Sequence, residues 1–375
     1  MYHAIYATRD TTLYEKNFRR NAGIDQVLEL IKYVESVPDE NDFYYDGTYN
    51  SRILLKFDIN HLSSLISSNV VSRRAKYHVS LKATDASDLP IDYDIHLFAV
   101  SQSWENGVGH FNDYPEITTG ASWTYRNGYY DGNGLTWINN SFSRGTTGSF
   151  STNSGGGTWY TGSAFFASQN FNYAKNPDIK INVTNIVHKW LSGSIANNGF
   201  IVKRTSADEF SSDYKGAIRF FSTDTHTIYI PKLEITWDDS NISQSGSISE
   251  VSDNFEVMVS NIKKNYRTNS KYRFRILSRD KYPTIDYSTT NNYLNFKRLP
   301  TSSYYAIQDS VTDDFIIPFD TGSTRLSIDS EGNYFNMNME SLLPERFYKI
   351  VFKVVSEGGF TEHIIDEGFY FKVVR

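Results

Sequence analysis

Residues 232–237 read Lys-Leu-Glu-Ile-Thr-Trp, a strict alternation of polar and apolar side chains. Successive side chains of a β-strand point to opposite faces of a sheet, so this pattern places Leu233, Ile235 and Trp237 on one face. The three polar residues then share the other face. The alternation predicts a strand with one buried and one wet face, and similar strand-like runs recur along the chain.

Other apolar runs of strand length are bounded by Gly, Asn, Asp and Ser. They lie at residues 53–59, 77–81, 95–100, 179–183 and 199–203, and later at 255–259, 272–277, 315–319, 347–355 and 369–374. Aromatic residues form 15% of the chain, with 27 Tyr and 25 Phe, and they favour pleated, half-buried surfaces over helices. These features predict an all-β protein built from two β-sandwich domains.

Two short segments carry apolar residues at helical spacing instead. In residues 183–191, Thr184 is predicted to cap the start of a helix, and Gly193 stands where a left-handed stop is needed. Residues 60–69 show a weaker stripe of the same kind. The apolar spacing of residues 23–34 suits either a helix face or a strand, and the pattern leaves that choice open.

The length of 375 residues exceeds what a single core usually organises, so two domains are expected. Residues 240–253 are rich in Ser and Asn and follow a complete strand, which indicates a linker between domains at 1–239 and 254–375. Residues 104–162 combine Gly, Ser, Thr and Asn with aromatic residues. They are predicted to form long loops on the first domain.

Charge and composition limit the function classes. The net charge of −6 is too mild to predict direct nucleic-acid binding. Up to Glu250 the chain has 21 basic and 27 acidic residues, and beyond it 16 of each, so the acidic excess lies in the first part. There is no cysteine, which excludes disulfides and thiolate metal sites. Neither a secretory signal nor a membrane span is predicted, so we expect synthesis in a cytoplasm and no membrane partner.

Five short pieces of the first domain carry a family resemblance. They are residues 21–23 (Asn-Ala-Gly), 51–58 (Ser-Arg-Ile-Leu-Leu-Lys-Phe-Asp), 103–107 (Ser-Trp-Glu-Asn-Gly), 183–193 (Val-Thr-Asn-Ile-Val-His-Lys-Trp-Leu-Ser-Gly) and 198–203 (Asn-Gly-Phe-Ile-Val-Lys). In this order they resemble the DNRLRE-type jelly-roll domain, a β-sandwich of carbohydrate-binding-module type. The resemblance implies an N-terminal jelly roll with one or two short helices and a strand at residues 27–33. The smaller C-terminal domain is predicted to be a second β-sandwich.

The second domain carries a different resemblance. Its segments at residues 299–309, 317–320, 332–335 and 344–348 resemble stretches in virion structural proteins of large tailed phages. This implies a structural component of the neck, tail or capsid surface, with other virion proteins as partners and several copies in a symmetric assembly. The expected location is the virion.

Seven aromatic residues are the main binding candidates. Flat rings surrounded by hydrogen-bonding groups would stack on sugar faces and form a glycan site. Trp and Tyr are also enriched at subunit interfaces, and such rings commonly pack loops onto a sandwich. The candidates for a glycan or interface site are Trp104, Trp123, Tyr125, Tyr129, Tyr130, Trp137 and Trp159.

A run of basic residues at 263–279 contains no acid. The alternation in 272–276 places its arginines on one face of a strand and its apolar residues on the other. This face would dock on an acidic partner, with Arg267, Lys271, Arg273 and Arg275 as the contacting residues. The alternative is a solvated strand face whose cations protect a sheet edge.

Metal-binding patterns are sparse. The eight His residues are scattered, and none forms a pair at metal-ligand spacing. The acidic pairs Asp92 with Asp94 and Asp313 with Asp314 lack the Gly and terminal Glu of a calcium loop, so they are better explained as solvated turns. No metal and no cofactor are predicted.

Catalytic patterns are equally sparse. Glu105, Asp113 and Glu116 lie near aromatic residues, as the two carboxylates of a glycosidase would, but isolated acids in loops are usually surface residues. No Gly-x-Ser-x-Gly, phosphate loop or dinucleotide fingerprint occurs. The sequence therefore predicts a protein that binds and assembles without catalysis.

Overall fold

A computed structural model describes residues 1–38, 44–128, 134–137, 155–172, 174, 177–242, 248–283, 296–356 and 361–375. Strands make up 48% of the structure and helices 9%, in several separate sheets, which confirms the predicted all-β fold of packed sandwiches. Within the described ranges, none of the helices combines the length and the apolar character that a membrane crossing needs.

The chain divides into two compact units. The N-terminal unit comprises residues 5–68 and 76–234, and the C-terminal unit comprises residues 1–4, 69–75 and 235–375. The first four residues and the segment at 69–75 therefore belong to the C-terminal unit, although both precede most of the N-terminal unit in the sequence.

The first thirteen strands form one large sheet system and a small hairpin. They are β1 (Tyr2–Tyr14), β2 (Val27–Pro38), β3 (Tyr44–Phe57), β4 (Lys76–Leu81), β5 (Ala83–Ser87), β6 (Asp92–Ala99), β7 (Tyr125–Asn127), β8 (Leu135–Thr136), β9 (Phe166–Asn172), β10 (Ile179–Asn182), β11 (Phe200–Arg204), β12 (Gly216–Phe221) and β13 (Lys232–Thr236). The main path runs β10-β4-β13-β1-β3-β11-β6-β9, while β2 pairs with β3 and β12, β5 pairs with β12, and β7 pairs with β8.

Strand β3 holds the two parts of this system together. Its first half, to Asn50, pairs with β2, and its second half, from Ser51, pairs with β1 and β11. Ile53, Leu54 and Leu55 are fully buried. A central strand that is covered on both faces has a continuous apolar run in its sequence. Burial on both faces therefore explains why polar and apolar residues do not alternate in this segment.

The local predictions are mostly confirmed. Residues 27–33 lie in strand β2, and α2 spans Thr184–Leu191 with Gly193 at φ +69°, the predicted left-handed stop. The predicted cap at Thr184 is wrong. Val183 occupies the cap position without a side-chain bond, while the Thr184 hydroxyl accepts the backbone N–H of Tyr77, 3.0 Å away.

Two other helices complete the N-terminal unit. Helix α1 spans Ile59–Ser67, and Asp58 accepts the backbone N–H of His61 to cap it. Helix α3 spans Ser206–Phe210 and was not predicted, because five residues are too few to show a helical period. Its cap is Thr205, whose side chain accepts the N–H of Asp208.

The C-terminal unit contains a four-stranded and a five-stranded sheet. The strands are β14 (Phe255–Val259), β15 (Asn265–Arg267), β16 (Lys271–Asp280), β17 (Ser303–Asp309), β18 (Phe315–Ile317), β19 (Ser327–Asp329), β20 (Gly332–Asn338), β21 (Arg346–Val355) and β22 (Glu362–Val374). The orders are β14-β16-β20-β19 and β15-β22-β21-β17-β18.

Aromatic rings fill the core of this unit. Phe335 stacks on Tyr305 at 4.0 Å between ring centroids and on Phe274 at 5.0 Å. Of the residues predicted as a linker, 240–242 and 248–253 are described and belong to this unit, whereas 243–247 lie outside the described residues.

Candidate functional site

An ionic cluster occupies the interior of the N-terminal unit. Glu209 on α3 accepts two hydrogen bonds of 2.9 Å from the Arg52 guanidinium and pairs with Lys203 Nζ at 2.9 Å. All three side chains are buried. Burial alone would raise the pKa of Glu209, but the two cations outweigh it and hold that pKa at about 2. A carboxylate paired in this way stabilises the fold as an ion.

Two of the predicted aromatic candidates contact this cluster. The ring centres of Trp123 and Trp159 lie 4.7 and 5.2 Å from the Arg52 guanidinium, and Arg52 Nη1 donates to the carbonyl of Gly156 at 2.7 Å. Cation–π contacts of this kind are strongest where water is excluded. The two rings therefore bind an internal cation.

The other two predicted tryptophans also point inward. The Trp104 indole N–H donates to the carbonyl of Asn198 at 2.8 Å, and that of Trp137 donates to the carbonyl of Ser122 at 3.0 Å. Both rings belong to one buried cluster with Trp123 and Trp159.

Burial corrects the glycan hypothesis for these four tryptophans, because a ring without an exposed face cannot stack on a sugar. They anchor the loops to the sandwich, which was the packing alternative. Tyr125 is half-buried, while Tyr129 and Tyr130 lie outside the described residues.

The basic strand alternates as predicted, with Phe274 and Ile276 buried and Arg273 exposed. Although the run contains no acid, neighbouring strands supply several. Arg275 pairs with Asp329 and with Glu331, and the Arg273 guanidinium lies 4.2 Å from the Tyr334 ring centre.

Arg273 and Arg275, two of the four predicted docking residues, thus already interact with side chains of the same chain. Arg267 and Lys271 are exposed, and their docking role stays a prediction.

The acids considered for catalysis have structural partners. Glu105 pairs with Arg9 at 2.6 Å, Glu116 lies 3.7 Å from Arg20, and Asp113 accepts the backbone N–H of His110 at 2.7 Å. None of these contacts brings two of the acids together. Among the acids considered for calcium, Asp92 accepts the Asn170 amide at 2.9 Å and Asp313 pairs with Lys349 at 3.1 Å.

A cavity of about 580 Å³ in the N-terminal unit was not predicted. Its size suits a small ligand. Both polar and apolar residues line it, and they are Thr8, Arg9, Lys56, Phe57, Asp58, Ile59, Asn60, Trp190, Ile195, Ala196 and Asn197.

One feature of this cavity favours a ligand that offers hydrogen-bond acceptors. Arg9 and Lys56 are directly opposite each other on β1 and β3, an unfavourable pairing of like charges. Burial lowers the pKa of Lys56, and Arg9 lowers it further. No sequence pattern indicates this cavity, because its lining residues come from distant segments.

A second surface lies on the five-stranded sheet of the C-terminal unit. Across β18, β17, β21 and β22, Phe315 pairs with Gln308, Gln308 with Lys349, and Lys349 with Tyr370. Residues directly opposite one another share a face of the sheet. Phe347 lies two residues before Lys349 on β21 and therefore belongs to the same face.

We call this surface the outer aromatic face. The register shifts between Ile350 and Phe352, but Lys353 lies four residues after Lys349 on β21, so Ile364, which is opposite Lys353, also belongs to this face. Tyr370 and Phe347 are each 54% exposed, Ile364 is 58% exposed and Phe315 is 46% exposed. Several large apolar side chains exposed on one face are typical of an interaction surface.

Comparison with known proteins gives little guidance. Neither a protein-family model nor a curated protein matches the sequence. Among solved structures, a DUF4785 family protein from Legionella pneumophila subsp. pneumophila str. Philadelphia 1 aligns with 10% identity and a TM-score of 0.19. The alignment covers 99% of this chain and 66% of the other, so this chain spans just under two thirds of that protein's length. A likeness this weak carries no argument, and the resemblances noted in the sequence stay predictions.

Proposed function

We propose that the chain is a non-enzymatic structural protein of a tailed-phage virion that assembles through protein–protein interfaces in several copies. The outer aromatic face is the observation that carries this proposal. The virion assignment itself rests on the sequence resemblance of the second domain.

The composition of the outer aromatic face supports an interface with protein. Phe347 and Tyr370 are exposed, and Lys349 between them is held by Asp313 at 3.1 Å and Asp366 at 2.7 Å. Exposed rings beside ion pairs resemble the centre and rim of a protein interface. The cavity and the buried cluster, by contrast, offer no comparable area for a large partner.

Purified particles test the proposal. Mass spectrometry of virions from the genome that encodes the chain is expected to detect it in a fixed ratio to the other structural proteins. Particles without the chain would contradict the assignment.

Variants supplied in trans test the surface. The double variant Phe347→Ser with Tyr370→Ser is expected to fold but to be left out of particles. Met258→Ser is the matched control, because Met258 is 51% exposed on the other sheet of the same unit. Equal incorporation of both variants would exclude the outer aromatic face as the interface.

The cavity favours a second candidate function, the binding of a host glycan. Its Lys56 and Asn60 side chains would donate to sugar oxygens. In calorimetry with host polysaccharides, Lys56→Ala and Asn60→Ala are expected to weaken binding. Lys189→Ala, on α2 but outside the cavity, is expected to leave binding unchanged. No heat of binding for the wild type would remove this candidate.

A further inference from the structure

Three polar side chains meet in the interior of the N-terminal unit. Lys32 on β2 and Asn50 on β3 are directly opposite each other in antiparallel register, so both side chains leave the same face of the sheet. Glu15 follows the last residue of β1. The exposed fractions of Lys32, Asn50 and Glu15 are 0%, 4% and 4%, so bulk water is excluded from all three.

Hydrogen bonds bring an amine and an amide onto one acceptor. The backbone oxygen of Glu209 accepts Lys32 Nζ at 2.8 Å and Asn50 Nδ2 at 3.3 Å. Glu15 Oε2 accepts the same Asn50 Nδ2 at 2.9 Å and the Asn50 backbone N–H at 3.0 Å. The amide nitrogen is therefore held on two sides, and a carboxylate lies within proton-transfer distance of it.

The other end of this amide is not held. Asn50 Oδ1 is buried and has no hydrogen-bond partner among the described residues. A buried acceptor without a partner is costly, so a network built only for stability would satisfy it. The arrangement instead fixes the nitrogen that would leave in an acyl transfer.

The reaction needs the neutral amine, because only that form has a lone pair for attack on a carbonyl carbon. Fixing both groups in one interior site replaces an encounter in solution with a reaction inside one molecule.

From this geometry we infer that Lys32 and Asn50 form an intramolecular isopeptide bond. Lys32 Nζ bonds to Asn50 Cγ, the bond from Cγ to Nδ2 breaks, and one ammonia leaves. Glu15 takes a proton from the attacking amine and delivers it to the departing Nδ2, so that it ends in its starting state. No oxidant, metal or cofactor is required, and the inference does not depend on the proposed virion role.

Intact-mass spectrometry of the denatured full chain tests the inference directly. The wild-type chain is expected to be lighter than its sequence mass by one ammonia. After proteolysis, a branched peptide is expected to join the segment around Lys32 to the segment around Asn50. A wild-type chain at its full sequence mass would overturn the inference, whatever the variants show.

Three variants locate the bond. Lys32→Arg lacks the nucleophile and Glu15→Gln lacks the proton carrier, so each is expected to have the full mass of its own sequence. Lys203→Arg is the matched control, because Lys203 is also buried in this unit but bonds to Glu209 and to the Arg204 carbonyl. It is expected to keep the ammonia loss.

One competing reaction also releases ammonia. An asparagine followed by glycine, as at Asn106, can cyclise on its own backbone. That loss would persist in Lys32→Arg and would give no branched peptide. Either of these results would count against the isopeptide bond.

Discussion

At the scale of single residues, the interior of the N-terminal unit depends on Glu209. This one carboxylate faces both Arg52 and Lys203, while Trp123 covers the Arg52 guanidinium. Removing one partner of a buried ion pair leaves an uncompensated charge, which costs far more than the pair contributes over an apolar replacement. The stability of the fold is therefore sensitive to substitution of Glu209, although this residue lies on a helix of only five residues.

We expect Glu209→Gln to lower the free energy of unfolding by about 3 to 5 kcal/mol, since two buried cations lose their counter-charge. Glu105→Gln is the control, because its pair with Arg9 is largely exposed and such pairs contribute about 1 kcal/mol or less. Urea denaturation at neutral pH measures both. An equal loss of unfolding free energy in the two variants would show that the buried cluster contributes no more to stability than an exposed ion pair.

A comparison of two glycines distinguishes the cost of backbone strain from the cost of steric contact. Gly156 at φ +79° and Gly193 at φ +69° are both left-handed, so an alanine at either position costs about 1 to 2 kcal/mol in backbone strain. A Cβ on Gly156 would also lie 2.5 Å from Arg52 Nη1, whereas a Cβ on Gly193 meets nothing within 4 Å.

Gly156→Ala is therefore expected to lower the thermal unfolding midpoint clearly more than Gly193→Ala. The comparison uses two purified variants in the same buffer and the same temperature scan. If Gly193→Ala were the more damaging change, the close packing of the 155–157 segment against Arg52 would be refuted.

At the scale of elements, alternation of polar and apolar residues predicts where strands lie but does not predict which side chains the strands bury. Strand β13 was found from its period of two, and β2 from a resemblance that resolved an ambiguous pattern. In β11, however, Lys203 and Arg204 are buried although charged residues at a strand end usually mark the surface. Their burial depends on Glu209 and on backbone carbonyls, which no local pattern reveals.

Helix α3 shows the same limit. Its sequence, Ser-Ala-Asp-Glu-Phe, has no apolar stripe, and its role is to deliver Glu209 to cations from β3 and β11. The cavity around Lys56 and Trp190 was missed for a related reason, because its lining comes from separate segments. Contacts between residues far apart in sequence decide both features.

The cap of α3 gives a prediction at this scale. Thr205→Ala removes the acceptor of the Asp208 N–H and is expected to destabilise the N-terminal unit by about 1 kcal/mol. Thr205→Ser keeps the hydroxyl and is expected to stay within a few tenths of a kcal/mol of the wild type. Chemical denaturation compares them, and a Ser variant as unstable as the Ala variant would exclude the cap as the cause.

At the scale of the whole molecule, two buried carboxylates couple acid to the stability of the N-terminal unit. For Glu209 and Glu234, burial alone would raise the pKa, but nearby cations outweigh it and hold both values at about 2. The ordinary value is 4.5, so the unfolded chain takes up these protons before the folded chain does. The stability that both carboxylates contribute is complete above pH 4.5 and is lost as the pH falls towards 2.

Tryptophan fluorescence follows this loss, because five of the six tryptophans, all but Trp237, lie in the N-terminal unit. Between pH 6 and pH 3 we expect each of the two carboxylates to lower the free energy of unfolding of this unit by about 2 kcal/mol, at about 1.4 kcal/mol per pKa unit. Burial raises the pKa of Asp10 in the same unit to about 7, so Asp10 changes the free energy in the opposite direction over this range and the comparison with a variant isolates Glu209. Glu209→Gln should be less stable at pH 6 but should show about 2 kcal/mol less decline between the two pH values. The same decline in the wild type and in Glu209→Gln would show that Glu209 does not couple protonation to folding.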